Sequence, residues 1–459
     1  MRFWLAIALF LILTVTGTAY SRLPGNRESG VFDTDPPTPY FHYRPIGTLR
    51  GRVLVIHGLD AAKNVMNILS FGLADAEFEV FSIDLPGHGE SRGRFNAVQA
   101  SSVVGSVLDK LGPQTIVLGH SFGAAVLLEL ANERPMERMV LFSPAPIVLQ
   151  TVQSDHLLVI EGQFDPGRIR TFVPQIESAA TGTFELRDLA WTGHSGGLFK
   201  AGVIASVAEW LGGDATSIHT TTRVVLVGLM LLSSVGLGIT LLGRTKAVPP
   251  IEETPPVPAT MAILYYAIGC LIAAGVLAFV NVAGWLHIFV WDYLLGLFFL
   301  AGLLVLTRCK GLTLRSRGLT IGIAAALYVI LVVGGFGASE VLHTLPSGER
   351  WWRVLGIFVL TLPMFLADEY LLRPLRPAGK AAGAAIVTRV LIGAIVISGA
   401  LILNRHSAFL LLLTHMAVVF WVGLWFAAGA VRTRTGPFAA ACFTAIVQAW
   451  FFAAAFVIV

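Results

Sequence analysis

Two kinds of hydrophobic pattern divide the chain. Between residues 47 and 213, short apolar runs alternate with stretches of mixed character. Strands buried on both faces and separated by covering helices give this pattern. Strand candidates are 52–56, 79–83, 115–118, 139–142, 156–160 and 183–186, with helical patterns between most of them. The alternation predicts a mainly parallel sheet with helices on both faces. From about Arg223 the runs lengthen to what a bilayer core requires, roughly 20 residues. They fall at 223–243, 260–281, 285–307, 318–338, 353–372, 384–404, 408–430 and 436–458, so residues 223–459 are expected to form a bundle of about eight transmembrane helices. At the other end, Met1-Arg2 precedes an apolar run from Phe3 to about Val15, followed by Gly17-Thr18-Ala19. Residues 1–20 therefore read as a signal peptide or an N-terminal transmembrane anchor. Residues 21–46, rich in Pro, Gly and Asp, read as a tether leading into a short strand or hairpin.

Composition supports the division. Hydrophobic residues make up 55% of the 459 positions and charged residues 13%, too apolar for a wholly soluble chain. The formal charge of +4 does not mark a nucleic-acid partner, because the basic excess sits in loops between apolar runs. Taking alternate loops, one set holds Arg244, Lys246, Arg308, Lys310, Arg315, Arg317, Arg373, Arg376, Lys380, Arg432 and Arg434. The other holds Arg350, Arg353 and Arg405. Cytoplasmic loops collect Lys and Arg, so the globular region is expected outside the cytoplasm. Arg389 is a misfit inside the sixth run, read as snorkelling toward the cytoplasm or as a helix that starts later. Cys270, Cys309 and Cys442 lie in or beside apolar runs, leaving the globular region without a thiol nucleophile or a disulfide.

The candidate chemistry lies in the globular region. Gly119-His120-Ser121-Phe122-Gly123 directly follows one strand candidate and opens a helical run, the context of a nucleophile elbow. Gly119 and Gly123 permit the close approach of backbone that such a turn demands. A serine hydroxyl needs a base, and the base needs an orienting acid. Asp165 follows the strand candidate 156–160 in Gly162-Gln163-Phe164-Asp165-Pro166, and His194 follows the last strand candidate in Thr192-Gly193-His194-Ser195. Asp155 and Asp188 are rivals to Asp165. The strand 52–56 ends in His57-Gly58-Leu59, where a loop amide can face the attacked carbonyl; the amides of Leu59 and Phe122 are the candidate oxyanion hole. His57, His88, His120 and His156 read as structural.

With Asp84-Leu85-Pro86-Gly87-His88-Gly89-Glu90-Ser91 added, residues 50 to about 213 resemble the α/β-hydrolase superfamily, in particular its monoacylglycerol lipase and serine aminopeptidase-like branch. The resemblance implies an α/β-hydrolase domain over 47–213 with Ser121 as nucleophile, His194 as base and Asp165 as acid, and no cofactor or metal. It departs from the family in one respect: where many members insert a lid, only residues 143–155 lie between two strands. An open site of this kind suits a large, lipophilic acyl substrate. The expected function is a membrane-embedded serine hydrolase that cleaves or transfers acyl esters, with the lipid bilayer as its partner.

Two other readings remain. The hydrolase-like domain could only bind a ligand for a receptor or transport component. Alternatively, the bundle could carry its own site, since His287, Asp292, Asp368, Glu369 and His415 are ionisable groups in apolar segments. Asp368-Glu369-x-x-x-Arg373 faintly resembles the first motif of CAAX-protease-like intramembrane metalloproteases; a salt-bridged helix end is the simpler reading.

Overall fold

In the computed structural model, residues 2–45, 47–246, 257–309, 312, 314, 318–402 and 410–459 are described. In chain order the strands are β1 (Arg27–Phe32), β2 (Thr38–Tyr43), β3 (Gly51–Ile56), β4 (Phe78–Ile83), β5 (Ile116–His120), β6 (Met136–Phe142), β7 (Ser154–Gly162) and β8 (Thr183–Leu189). The first helices are α1 (Arg2–Ser21), α2 (Asn67–Asp75), α3 (Ala97–Leu111), α4 (Phe122–Leu130), α5 (Gly167–Arg170), α6 (Val173–Ala179) and α7 (Ala201–Trp210). They are followed by α8 (Thr220–Leu242), α9 (Ala259–Leu277), α10 (Trp291–Leu306), α11 (Leu319–Tyr328), α12 (Trp351–Ala367), α13 (Ala378–Ile402), α14 (Leu410–Thr435) and α15 (Pro437–Ala455).

The chain forms two compact units. One is built around the sheet and comprises residues 11–232, 335–348 and 454–459; the other is helical and comprises residues 1–10, 233–334 and 349–453.

In the sheet unit the eight strands run in the order β1-β2-β4-β3-β5-β6-β7-β8. Pairing is parallel from β4 through β8 and antiparallel at β1–β2 and β2–β4. All six strand candidates appear. Strands β3 and β5 are buried on both faces because Val53, Leu54, Val55, Ile56, Val117 and Leu118 point alternately into two apolar clusters, one on each side of the sheet. Residues 27–43, within the segment 21–46 read as a tether leading into a short strand or hairpin, form a full hairpin that extends the sheet. Phe41 and Tyr43 are buried while β1 stays largely exposed, so the edge position explains why no clean apolar alternation announced it.

Residues 335–348, which begin within the end of the fourth long apolar run, belong to this unit. Glu340 accepts hydrogen bonds from Arg27 (2.7 Å) and Tyr20 (2.9 Å), and Asn64 donates to the Ser339 carbonyl at 2.9 Å.

The helical unit contains α9 to α14 and most of α15. Six helices among the described residues are long and apolar enough to cross a membrane: 3–21, 215–242, 259–277, 348–372, 378–399 and 437–455. Two shorter apolar helices occupy 291–306 and 319–333. A Cβ on Gly302 of α10 would lie 2.7 Å from the Pro363 carbonyl carbon, so α10 and α12 meet backbone to backbone.

Arg389 does not snorkel. It is buried and paired with Asp368, which also accepts a hydrogen bond from Tyr266 at 2.6 Å. Glu369 pairs with Arg432 (2.7 Å) and Arg373 (3.2 Å). Both acids lie on a π-helical turn, residues 368–372, and both are occupied by arginines, the salt-bridged arrangement that burial of charge requires. Arg350 and Arg353 are likewise buried, donating to the carbonyls of Ala453 (3.2 Å) and Leu286 (2.6 Å). Lys310, Arg315, Arg317, Arg405 and the side chain of His415 lie outside the described residues.

Candidate active site

Ser121 sits between β5 and α4 with φ +52° and ψ −112°, a conformation that costs a non-glycine residue on the order of 1–3 kcal/mol. The turn is held by backbone hydrogen bonds on both sides: the Ser121 amide donates to the Phe142 carbonyl at 2.8 Å, and the Ala145 amide donates to the Ser121 carbonyl at 3.1 Å. Its glycines are set by close approach. A Cβ on Gly123 would lie 2.5 Å from the Ile56 carbonyl oxygen, and one on Gly119 would lie 2.6 Å from the Ala124 nitrogen. The end of β3 thus presses against the start of α4.

Three sequence candidates converge here. His194 Nε2 lies 2.9 Å from Ser121 Oγ, and His194 Nδ1 lies 2.6 Å from Asp165 Oδ1. The second Asp165 oxygen accepts hydrogen bonds from Ser143 Oγ (2.6 Å) and the Gly162 amide (2.7 Å). Burial works to raise the Asp165 pKa, but these three hydrogen bonds hold the carboxyl below the usual range, so it stays charged. The rivals do not reach this position: Asp188 pairs with Arg170 at 3.3 Å, and Asp155 is exposed on β7. Ser143 was not singled out from sequence. It sits just after β6 with φ +46°, and a lone serine past a strand carries no distinguishing mark.

Phe122 directly follows the serine in the chain. Phe122 opens α4, where the amides of a first turn have no partner within their own helix. The His57-Gly58-Leu59 turn lies against the elbow, since a Cβ on Gly58 would be 3.1 Å from Ser121 Cβ. His57 is a structural pin: its Nε2 accepts from the Leu85 amide at 3.1 Å, which fixes the neutral Nδ1–H tautomer donating to the Gly58 carbonyl at 2.8 Å. Burial lowers its pKa. His120 is also neutral, pushed down to about 3 by burial and by His194 beside it. Exposed Phe164 and Trp191 form an edge-to-face pair, ring centroids 5.9 Å apart, next in sequence to Asp165 and three residues before His194.

A buried ion pair stands behind the His57 turn and escaped the sequence reading. Lys63 Nζ lies 2.5 Å from Asp84 Oδ2 and 2.9 Å from Glu90, with the Lys63 and Asp84 side chains fully buried. The Lys63 and Glu90 amides also donate to Asp84, at 2.8 and 2.9 Å. Burial opposes the Asp84 charge, but the charge and hydrogen bond of Lys63, with His57 and His343, together outweigh it and bring the carboxyl from 3.8 down to about 2. Between those values the unfolded chain binds the proton that the folded chain refuses. The stabilisation is therefore complete above about pH 4 and fades as pH falls toward 2. The thermal midpoint in detergent should drop over that interval, and Asp84→Asn should flatten that part of the profile.

Sheet order, elbow and converging side chains define the class: residues 51–212 match the family model of the alpha/beta hydrolase fold, and this part of the chain is an α/β-hydrolase domain. Among curated proteins, the chain is similar to Lipase LipV of Mycobacterium tuberculosis, with 35% identity over 22% of this chain and 40% of that protein. It is also similar to the human monoglyceride lipase, with 33% identity over 22% of this chain and 38% of that protein. The chain thus spans about two fifths of the length of these relatives. Among solved structures, carboxylesterase CesB from Bacillus subtilis aligns over 46% of this chain and 99% of its own, with 14% identity and a TM-score of 0.36.

Proposed function

We propose that the protein is a membrane-embedded serine hydrolase that cleaves or transfers acyl esters of a lipophilic substrate. The observation that carries this reading is the single imidazole bridging Ser121 (2.9 Å) and Asp165 (2.6 Å). His194 takes the Ser121 proton as Oγ attacks the acyl carbonyl, and the tetrahedral oxyanion is held by the amides of Leu59 and Phe122. His194 then returns the proton to the leaving alkoxide. Water or an alcohol, deprotonated by His194, releases the acyl group from Ser121. Asp165 holds the tautomer and stabilises the imidazolium.

A lipid-like substrate is supported by the similarity to lipases, the short connection between β6 and β7, and the exposed Phe164–Trp191 pair beside the triad. We place the hydrolase unit outside the cytoplasm. Support comes from the basic loops, and also from residues 335–348 and 454–459. Both segments belong to the hydrolase unit, and both fall on the side opposite the basic loops when eight spans are counted.

The test is labelling of right-side-out vesicles with an alkyl fluorophosphonate and mapping of the modified peptide. The expected result is modification at Ser121 that disappears in Ser121→Ala. Correctly inserted wild-type protein that takes no label would overturn the reading.

A further inference from the structure

Residues 454–459 include the end of the last long helix and are part of the hydrolase unit, where their backbone groups make three hydrogen bonds to its loops. The Val457 amide donates to Asp60 Oδ1 at 2.9 Å. The Ile458 amide donates to the Gly87 carbonyl at 3.0 Å, and the Ile458 carbonyl accepts from the Phe95 amide at 2.6 Å. Val457 and Ile458 are buried.

One of these loops adjoins a candidate oxyanion donor in sequence, and the other packs against the second. Asp60 follows Leu59 and is held at φ +53°, a left-handed conformation in the turn that lies against Ser121. Phe95 packs edge-on against Phe122, ring centroids 5.2 Å apart, and against His88 at 5.4 Å. His88 in turn sits 4.9 Å from His57 in the same turn as Leu59. Gly87 is suited to the clamp on two counts. Its φ is +75°, and any Cβ would lie 2.5 Å from both the Ile458 carbonyl oxygen and the Phe95 nitrogen. The strand-like grip therefore needs a glycine there.

We infer that the segment 454–459 is a positioning element of the active site, with Val457 fixing the turn that carries the Leu59 amide and Ile458 fixing the Gly87–Phe95 loop that packs on Phe122. The inference rests on the serine-hydrolase reading above. A pair of donors stabilises a developing oxyanion only if both are already aimed at it. A turn with a left-handed aspartate and no regular secondary structure of its own needs an outside brace to stay aimed. The Asp60 carboxylate bound by the Val457 amide supplies one side of that brace, and the Phe95–Ile458 bond supplies the other.

The test compares Asp60→Ala, Asp60→Asn and Val457→Pro in the full-length protein in detergent, using turnover of a p-nitrophenyl ester. Asparagine keeps the acceptor for the Val457 amide, whereas alanine removes the acceptor and proline removes the donor. Loss of one oxyanion donor costs about 100- to 1000-fold in kcat, so slack in its mount is expected to cost roughly tenfold. The expected result is that fall in kcat for Asp60→Ala and Val457→Pro, with KM within about twofold and an unchanged thermal midpoint, and near wild-type kcat for Asp60→Asn. Wild-type kcat in Asp60→Ala, or equal loss in the alanine and asparagine variants, would overturn the proposal. Full activity in Ser121→Ala would instead overturn the reading beneath it, so the two failures are distinguishable.

Discussion

Ser121→Ala and His194→Ala should each lower kcat for a short-chain ester by about 10⁴- to 10⁶-fold, and the double variant should be little worse than either single one. The non-additivity is the stronger part of the expectation. Serine and histidine act as one unit through the 2.9 Å contact between Oγ and Nε2, so losing either removes what the other supplies. Asp165→Asn should cost about 10⁴-fold, because an asparagine amide facing Nδ1 favours the wrong tautomer of His194. Steady-state kinetics on purified, membrane-inserted protein provide the check. Losses in the Ser121 and His194 variants that multiply in the double variant would mean that the two residues act independently, which the bridged geometry forbids.

Lys63→Met should be the most destabilising conservative change in the hydrolase unit. It leaves the Asp84 carboxylate buried with its two amide donors but without its counter-charge, and breaking a buried ion pair from one side costs about 3–5 kcal/mol. Asp84→Asn should also be costly, since the Lys63 ammonium would then lack its main partner. The double variant Lys63→Met with Asp84→Asn should lose less than the sum of the two, by at least about 1 kcal/mol. Thermal unfolding in detergent, followed by near-ultraviolet circular dichroism, measures all three. Simple additivity would show that the pair is not coupled.

Much of this architecture was legible in the sequence where the signal is local. Strands β3 and β5 are short apolar runs ended by Gly-containing turns, and a central parallel strand buried on both faces has little other choice. Ser121, Asp165 and His194, whose side chains the fold brings together, could be singled out because each stands at a strand end in a turn with its own chemistry. The features that escaped depend on partners far along the chain. Ser143 acquires meaning only when Asp165 arrives beside it, and Arg389 looked misplaced until Asp368 was seen to face it across helices. The extent of the β1–β2 hairpin was not legible because an edge strand can be polar on most of its length. The Asp60–Val457 bond joins residues 397 positions apart, a distance over which no periodicity carries information.

The discontinuity of the hydrolase unit bears on biosynthesis. Its sheet and triad are complete in the chain by about residue 200, yet residues 335–348 emerge more than 100 residues after Leu232, and residues 454–459 about 220 residues after it. At about 5–20 residues per second, the interval before the last segment is made lasts about 10–45 s. During that time the newly made domain has its nucleophile but not its full set of braces. The hydrolase unit would thus gain its full set of braces only once residues 454–459 have been made, after helices α8 to α15 have been synthesised.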